Sequence, residues 1–518
     1  MYCPNCGERL APEDRFCGAC GLPVPLQPAA AEAAPAAPTG APPQPWPSQP
    51  PNSSPPWAAG EPPAPRRRGR AKLIVAAASV LVVALGGLSV WFFTRPDAPA
   101  TIRYQPAEDF LAEPEFGPDT TAESLFDGDF DSVYLTTFSP SGNLIAAVAQ
   151  STGKPASPSE AAAVTAIFAD GCEPAWKEPV DLAVASGFDQ PEVNDLKFTD
   201  SDYMIVNVGN GEDAGEESLL VAMDSRGAVL GTTTAYGEWS TVGDHVVVRT
   251  EDGQLSVRSA QDVDSELWHA KAPDSSYTVN PGNSPDPESW LGRLMGKGGA
   301  YYIEAKDGYR ELRTGEKASL GKPDEDTQYL STLEGVILRA TQDPDGEDCQ
   351  VMRVDPATGK DLWNAAIKSE TFGVWDSNAK AFLLETVEEG EVSAIDAATG
   401  EELWAHVIGD EYPSYAKLLA DARAIMFAQS PGDGGWAAML VGQDGTEASR
   451  FEIGTPTSLV YGTAVLYTVS DGTLIAYDLQ GEGAELWTLD LDEDDAAWSL
   501  GGNLLVGNAE HMRQLVGS

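Results

Sequence analysis

From about residue 132 to the end, apolar residues either alternate with polar ones or run in fours to sixes between Gly/Asp turn pairs. Val, Ile, Leu and Tyr fill these runs, and such residues suit a pleated, half-buried surface. The stretch "HVVVRTEDGQLSVRSAQDVDSELWHAK" (245–271) reads as strand, Asp-Gly turn, strand, polar turn and a short strand bearing Trp268. "FLLETVEEGEVSAIDAATGEELWAHVI" (382–408) and "VLYTVSDGTLIAYDLQGEGAELWTLDL" (465–491) repeat that order in other letters. Helical periodicity is absent over this region, so the pattern predicts an all-β fold.

The tryptophans set the period. Trp363 and Trp404 stand 41 residues apart, and Trp404 and Trp487 stand 83 apart, two units with a weaker copy between. Weaker copies are visible at 301–315 and 439–453, and earlier ones at 166–179 and 219–231. A unit of about 40 to 50 residues with four strands predicts propeller blades. One four-stranded blade cannot hide its own faces, whereas stacking blades around an axis buries both. The sequence holds eight such units and a partial ninth (498–516), which predicts an eight-bladed ring over 132–518, with seven as the alternative. "SVYLTTF" (132–138) or the acidic segment before it is expected to complete the last blade.

"AIDAATGEELW" (394–404) and "RVDPATGKDLW" (353–363) resemble the tryptophan-docking repeat of the pyrroloquinoline-quinone-type propellers, and 477–487 keeps its Asp478 and Trp487. In that family the indole rings wedge between neighbouring blades. The resemblance implies that Trp268, Trp363, Trp404 and Trp487 are structural inter-blade residues, and a large ring whose N–H finds a backbone acceptor suits that task.

Before the propeller come four segments. "CPNCGERLAPEDRFCGAC" places Cys3, Cys6, Cys17 and Cys20 in a C-x2-C-x10-C-x2-C arrangement within residues 1–21. Each pair can aim two thiolates at one point, so the four would close a tetrahedral zinc site with no open position, structural rather than catalytic. The segment resembles the short zinc ribbons at the N-termini of many bacterial membrane proteins. Residues 22–71 hold a Pro-rich stretch and then the basic "RRRGRA" (66–71) up to the span; such composition favours extended polyproline II over helix or sheet and predicts a disordered tether. "LIVAAASVLVVALGGLSVWFF" (73–93) carries no charge and matches the ~30 Å hydrocarbon thickness as a helix, so 72–94 is expected to span a membrane once. The basic cluster before it predicts a cytoplasmic N-terminus and an extracytoplasmic propeller at the plasma membrane. Four reduced thiols on the cytosolic side fit that orientation. Residues 95–131 are acidic and Pro-containing and read as a juxtamembrane stalk. Its Asp127, Asp129 and Asp131 mimic the start of a calcium loop, but Ser132 and Phe138 stand where that loop needs Gly and Glu.

Charge removes one function class. The net charge is −48, and residues 1–96 hold 8 Lys and Arg against 5 Asp and Glu, which leaves 24 of the 32 bases against 75 of the 80 acids for the rest. So acidic a surface repels phosphate backbones and excludes nucleic-acid binding by the propeller. Catalytic chemistry is likewise missing. The sequence holds no vicinal Cys pair, since Cys172 and Cys349 are far apart and expected in blades that face each other across the ring. His245, His269, His406 and His511 have no metal-ligand spacing, and no G-x-S-x-G occurs. The quinone cofactor that the family name suggests is therefore not expected, and zinc is the one cofactor predicted. Two functions follow. The chain is expected to be a non-enzymatic, membrane-anchored scaffold that recognises protein or envelope partners, resembling the outer-membrane assembly propeller. The alternative is a degenerate quinoprotein-type propeller acting as a small-ligand sensor or dehydrogenase.

Overall fold

The computed structural model describes residues 106–517 apart from 128–129, 152–160, 211–216, 274–277, 280–290, 297–298, 323–326, 333–334, 343–348, 368–372, 378–379, 387–390, 408–412, 420, 430–434 and 482. The expected zinc ribbon, Pro-rich linker and transmembrane helix lie outside the described residues. No helix among the described residues is long and apolar enough to cross a membrane.

Among the described residues nine sheets follow one another along the chain, and seven of them are built wholly from consecutive strands that pair antiparallel. Blade 1 begins with Ser132–Phe138, blade 2 with Pro191–Phe198, blade 3 with Trp239–Val242 and blade 4 with Arg293–Gly296. Blade 5 begins with Thr327–Ser331, blade 6 with Gly373–Ser377 and blade 7 with Pro413–Leu418. Blades 8 and 9 begin with Ser458–Tyr461 and Ala496–Leu500. Blade 4 has three full strands, its fourth being reduced to an isolated bridge between Arg310 and Lys317. Blade 5 has five, because Thr278–Val279 adds a parallel strand beside Thr327–Ser331.

Period-two alternation explains how the blades stack. In the second strand of blade 2, Met204, Val206 and Val208 pack toward blade 1, whereas Ile205 packs toward blade 3, and all four are fully buried. The apolar core is therefore a set of slabs, one between each pair of consecutive blades. The last slab joins Leu500, Leu505 and Met512 of blade 9 to Ile145, Ala147 and Ala149 of blade 1, and so closes the ring.

The expected count of eight blades, or seven, is corrected to nine. The unit that looked partial is a whole blade whose fourth strand, Glu115–Thr121, precedes blade 1 in the chain and pairs antiparallel with His511–Val516. That strand lies in the segment expected to be a stalk. The register shifts between Phe116 and Asp119, around Gly117 and Pro118. Pro118 has no N–H to give, which suits the outer edge of a sheet.

Candidate interaction surface

The third-to-fourth-strand turns show how the repeat motif works. In blade 6 the Asp396 carboxylate accepts the Ala398 and Thr399 N–H groups, each at 2.8 Å, and Gly400 follows at φ +75°. With no Cβ, Gly400 lets the Trp363 ring of blade 5 lie against the turn; a methyl there would stand 2.6 Å from the indole. Gly315 sits the same way on Trp268, and Gly227 on Trp176. Each indole N–H donates to a carbonyl of the next element. Trp268 bonds Leu312 at 2.7 Å, Trp363 bonds Ala397 at 3.3 Å and Trp404 bonds Ala422 at 2.8 Å. Trp487 bonds Phe110 at 2.7 Å. Trp176 in blade 1, which the sequence reading missed, bonds Ser225 of blade 2 at 3.0 Å. Its surroundings, "CEPAW", lack both the Thr-Gly turn and the preceding Leu.

The first-to-second-strand turns share this face and are laced together. Ser141 and Asn143 of blade 1 donate to Asp202 of blade 2, and Ser201 of blade 2 donates its N–H and hydroxyl to Asp244 of blade 3 at 2.9 and 2.7 Å. Tyr301 of blade 4 reaches past Gly243 to give its hydroxyl to the buried Asp200 of blade 2 at 2.5 Å. Burial chiefly raises the Asp200 carboxyl, to about 6; Asp244 and Asp202 add to this, while the Tyr301 bond and Arg293 oppose it. This face is therefore occupied with holding the ring together.

The opposite face receives the second-to-third-strand connections and the links from blade to blade. The strand ends there are joined by "GEDAGE" (211–216), "DPDGED" (343–348), "VEEG" (387–390) and "LDEDD" (491–495). Three turns of the laced face, "SPSGN" (139–143), "DPATGK" (355–360) and "LADAR" (419–423), carry balanced charge, and others on it bring Asp200, Asp202 and Asp244. Acid-rich sequence thus joins the strand ends on this side of the ring.

Among the described residues, side chains that suit catalysis or metal binding are few and most of them are paired. Among the described residues, one group of metal-ligand type converges, Asp492, Asp495 and His511. Arg513 pairs with both carboxylates, at 3.2 and 2.7 Å, and His511 Nε2 lies 3.0 Å from Asp495, so the negative charge is already compensated. His269 pairs with Glu266 at 2.7 Å, and His406 Nδ1 lies 2.8 Å from the Gly445 carbonyl. His245 is half-buried, and burial lowers its pKa. Cys172 is a free thiol in blade 1, buried and pushed up to about 11, hence unreactive. Cys349 opens a strand of blade 5. On the first strands of their blades, Lys197 pairs with Asp195 at 3.2 Å and Lys417 with the buried Asp376 at 3.1 Å. Cys3, Cys6, Cys17 and Cys20 lie outside the described residues.

Residues 2–24 match a zinc-ribbon domain family, and residues 347–510 match the family described as outer membrane protein assembly factor BamB. No curated protein matches the chain. Similar solved structures include BamB from Moraxella catarrhalis, 12% identical over 78% of this chain and 99% of that one, with a TM-score of 0.35. The Dos1 propeller is 11% identical over 79% of this chain and 97% of its own, with a TM-score of 0.37. A eukaryotic initiation factor is 10% identical over 67% and 87%, with a TM-score of 0.41.

Proposed function

We propose that the chain is a single-pass, membrane-anchored binding scaffold without catalytic activity. In this reading the cytoplasmic Cys3, Cys6, Cys17 and Cys20 hold a structural zinc, residues 22–71 form a tether and 72–94 cross the plasma membrane. The ring beyond the membrane presents its acidic face to a protein partner. The observation that carries the reading is the asymmetry of the ring. One face is committed to inter-blade bonds and indole packing, and the strand ends of the other are joined by connections rich in Asp and Glu. A protein with a cationic surface is the matching partner, because charge complementarity steers encounter and selects against acidic competitors.

Crosslinking the full chain in intact cells, followed by binding of the captured protein at rising salt, tests this. The expected partner has a basic surface and loses affinity steeply between 50 and 300 mM salt. Capture of acidic proteins only, with salt-insensitive affinity, would refute the reading. The sensor alternative is tested by adding pyrroloquinoline quinone and calcium to the same protein, where a saturable absorbance change would revive it.

A further inference from the structure

The seam between blades 8 and 9 is crossed by Ala107–Phe110, which dock as a short peptide docks on a protein. The Ala107 N–H donates to the Tyr461 carbonyl at 2.9 Å, and the Glu108 N–H to the Gly502 carbonyl at 2.8 Å. Asp109 is read most closely. Its carboxylate caps the turn of blade 8, accepting the Ala464 and Val465 N–H groups at 2.9 and 3.0 Å and the Thr463 hydroxyl. Gly462 makes room for it, since a Cβ there would overlap the carboxylate. Phe110 is buried within the apolar slab between the two blades. Its N–H donates to the Tyr467 hydroxyl at 2.7 Å, and its carbonyl accepts from Trp487 at 2.7 Å. The Tyr467 hydroxyl in turn donates to the Glu108 carbonyl at 2.6 Å.

Two features separate this docking from the β-pairing that completes blade 9. Leu111, Ala112 and Glu113, which follow Phe110, are exposed, and the chain is buried again only at Pro114, just before the outer strand. None of the bonds just named involves the ladder of Glu115–Thr121. The bonds of the segment could therefore break with the ladder of blade 9 left in place. What the segment vacates is specific: a slot for a small residue, a carboxylate receptor of two N–H groups and a hydroxyl, and an aromatic seat floored by Tyr467 and Trp487.

We infer that this groove is a peptide-recognition site, filled in cis by Ala107–Phe110 and open in trans to an extended segment of a partner protein with the pattern small–x–Asp–Phe. The occupant is fixed by the chemistry that now fills the groove, because a partner segment of the same pattern makes the same bonds. The inference deepens the scaffold reading by naming one groove and one peptide class, and it is independent of the acidic face.

The test uses the full chain and a labelled peptide of residues 106–112, Pro-Ala-Glu-Asp-Phe-Leu-Ala. The double variant Asp109→Ala/Phe110→Ala weakens the cis segment and should bind the peptide saturably, at least about tenfold tighter than the wild type, whose groove is filled. The same peptide carrying Asp109→Ala should bind the variant at least about tenfold more weakly, because charge-assisted bonds are lost. A variant with wild-type near-ultraviolet circular dichroism that ignores the peptide would overturn the proposal, as would one that binds both peptides equally. Should the double variant fail to fold, amide exchange in the wild type decides. The Ala464 and Val465 amides should exchange at least tenfold faster than those of Tyr467 and Val469, because lifting the segment exposes them without unfolding. Equal protection would overturn the proposal. Failure here leaves the salt-dependent capture by the acidic face unaffected, so the two readings fail separately.

Discussion

Asp200 and Tyr301 stand 101 positions apart, and their side chains meet only because the first-to-second-strand turns of blades 2, 3 and 4 crowd together. Asp200 is 6% exposed, and folding lifts its carboxyl from the ordinary 3.8 to about 6, burial being the main cause. A group raised on folding binds its proton more tightly in the native state. Its contribution to stability is complete below about pH 3.8 and is lost as pH rises through about 6. Asp200→Asn keeps an acceptor for the Tyr301 hydroxyl and removes the charge. The difference in stability, variant minus wild type, should be near zero at pH 4 and reach the order of 2–3 kcal/mol in favour of the variant by pH 7. Thermal unfolding of both proteins across that range measures it. A difference that stays flat would mean that Asp200 titrates as an exposed carboxylate does.

Among the elements, the Thr-Gly turn and the tryptophan before it form one unit shared by two blades. Gly400 combines φ +75° with an indole 2.6 Å from where its Cβ would be, whereas Gly187, also at φ +75°, has nothing within 4 Å. Gly187→Ala should therefore cost only backbone strain, about 1–3 kcal/mol. Gly400→Ala should cost at least about 1 kcal/mol more, since the methyl and the ring cannot share the space. Adding Trp363→Ala to Gly400→Ala should recover that excess, and a double-mutant cycle by chemical denaturation reads the coupling. Additive costs would deny the contact. This unit was legible in the sequence because its parts are contiguous: Asp, Thr-Gly, then Leu-Trp. The fold class followed from the same repetition, since alternation with both phases apolar admits only sheets covered on both faces. The blade count did not follow. Glu115–Thr121 is short, acidic, mostly exposed and broken by Pro118, which is how an outer edge strand is protected and also how a linker reads. Trp176 was hidden for a related reason, because it performs the docking without the flanking letters. The lacing of Asp200, Asp202 and Asp244 was beyond reach, because 75 acids in the sequence beyond residue 96 offer no local mark that separates a buried one from its solvated neighbours.

For the molecule as a whole, charge acts on two equilibria with opposite signs. Beyond residue 96, Asp and Glu outnumber Lys and Arg by 75 to 24, so folding gathers like charge, and the ring pays a self-repulsion that counter-ions relieve. Lengthening or shortening the screening distance, from about 30 Å at 0.01 M salt to about 8 Å at 0.15 M, changes that repulsion without touching the apolar slabs between blades. The melting temperature should therefore rise over this interval. Binding of a cationic partner at the acidic face depends on attraction across similar distances and should weaken over the same interval, chiefly through a slower association rate. Measuring both on one preparation distinguishes an electrostatic contact from a partner lost through unfolding, since unfolding would make affinity and melting temperature fall together. A melting temperature that drops as salt is added would mean that ion pairs such as Lys417–Asp376, which span neighbouring blades, outweigh the net repulsion in holding the ring. In that case the acidity of the exposed connections would have to be balanced locally, and the attraction proposed for a basic partner would lose its source.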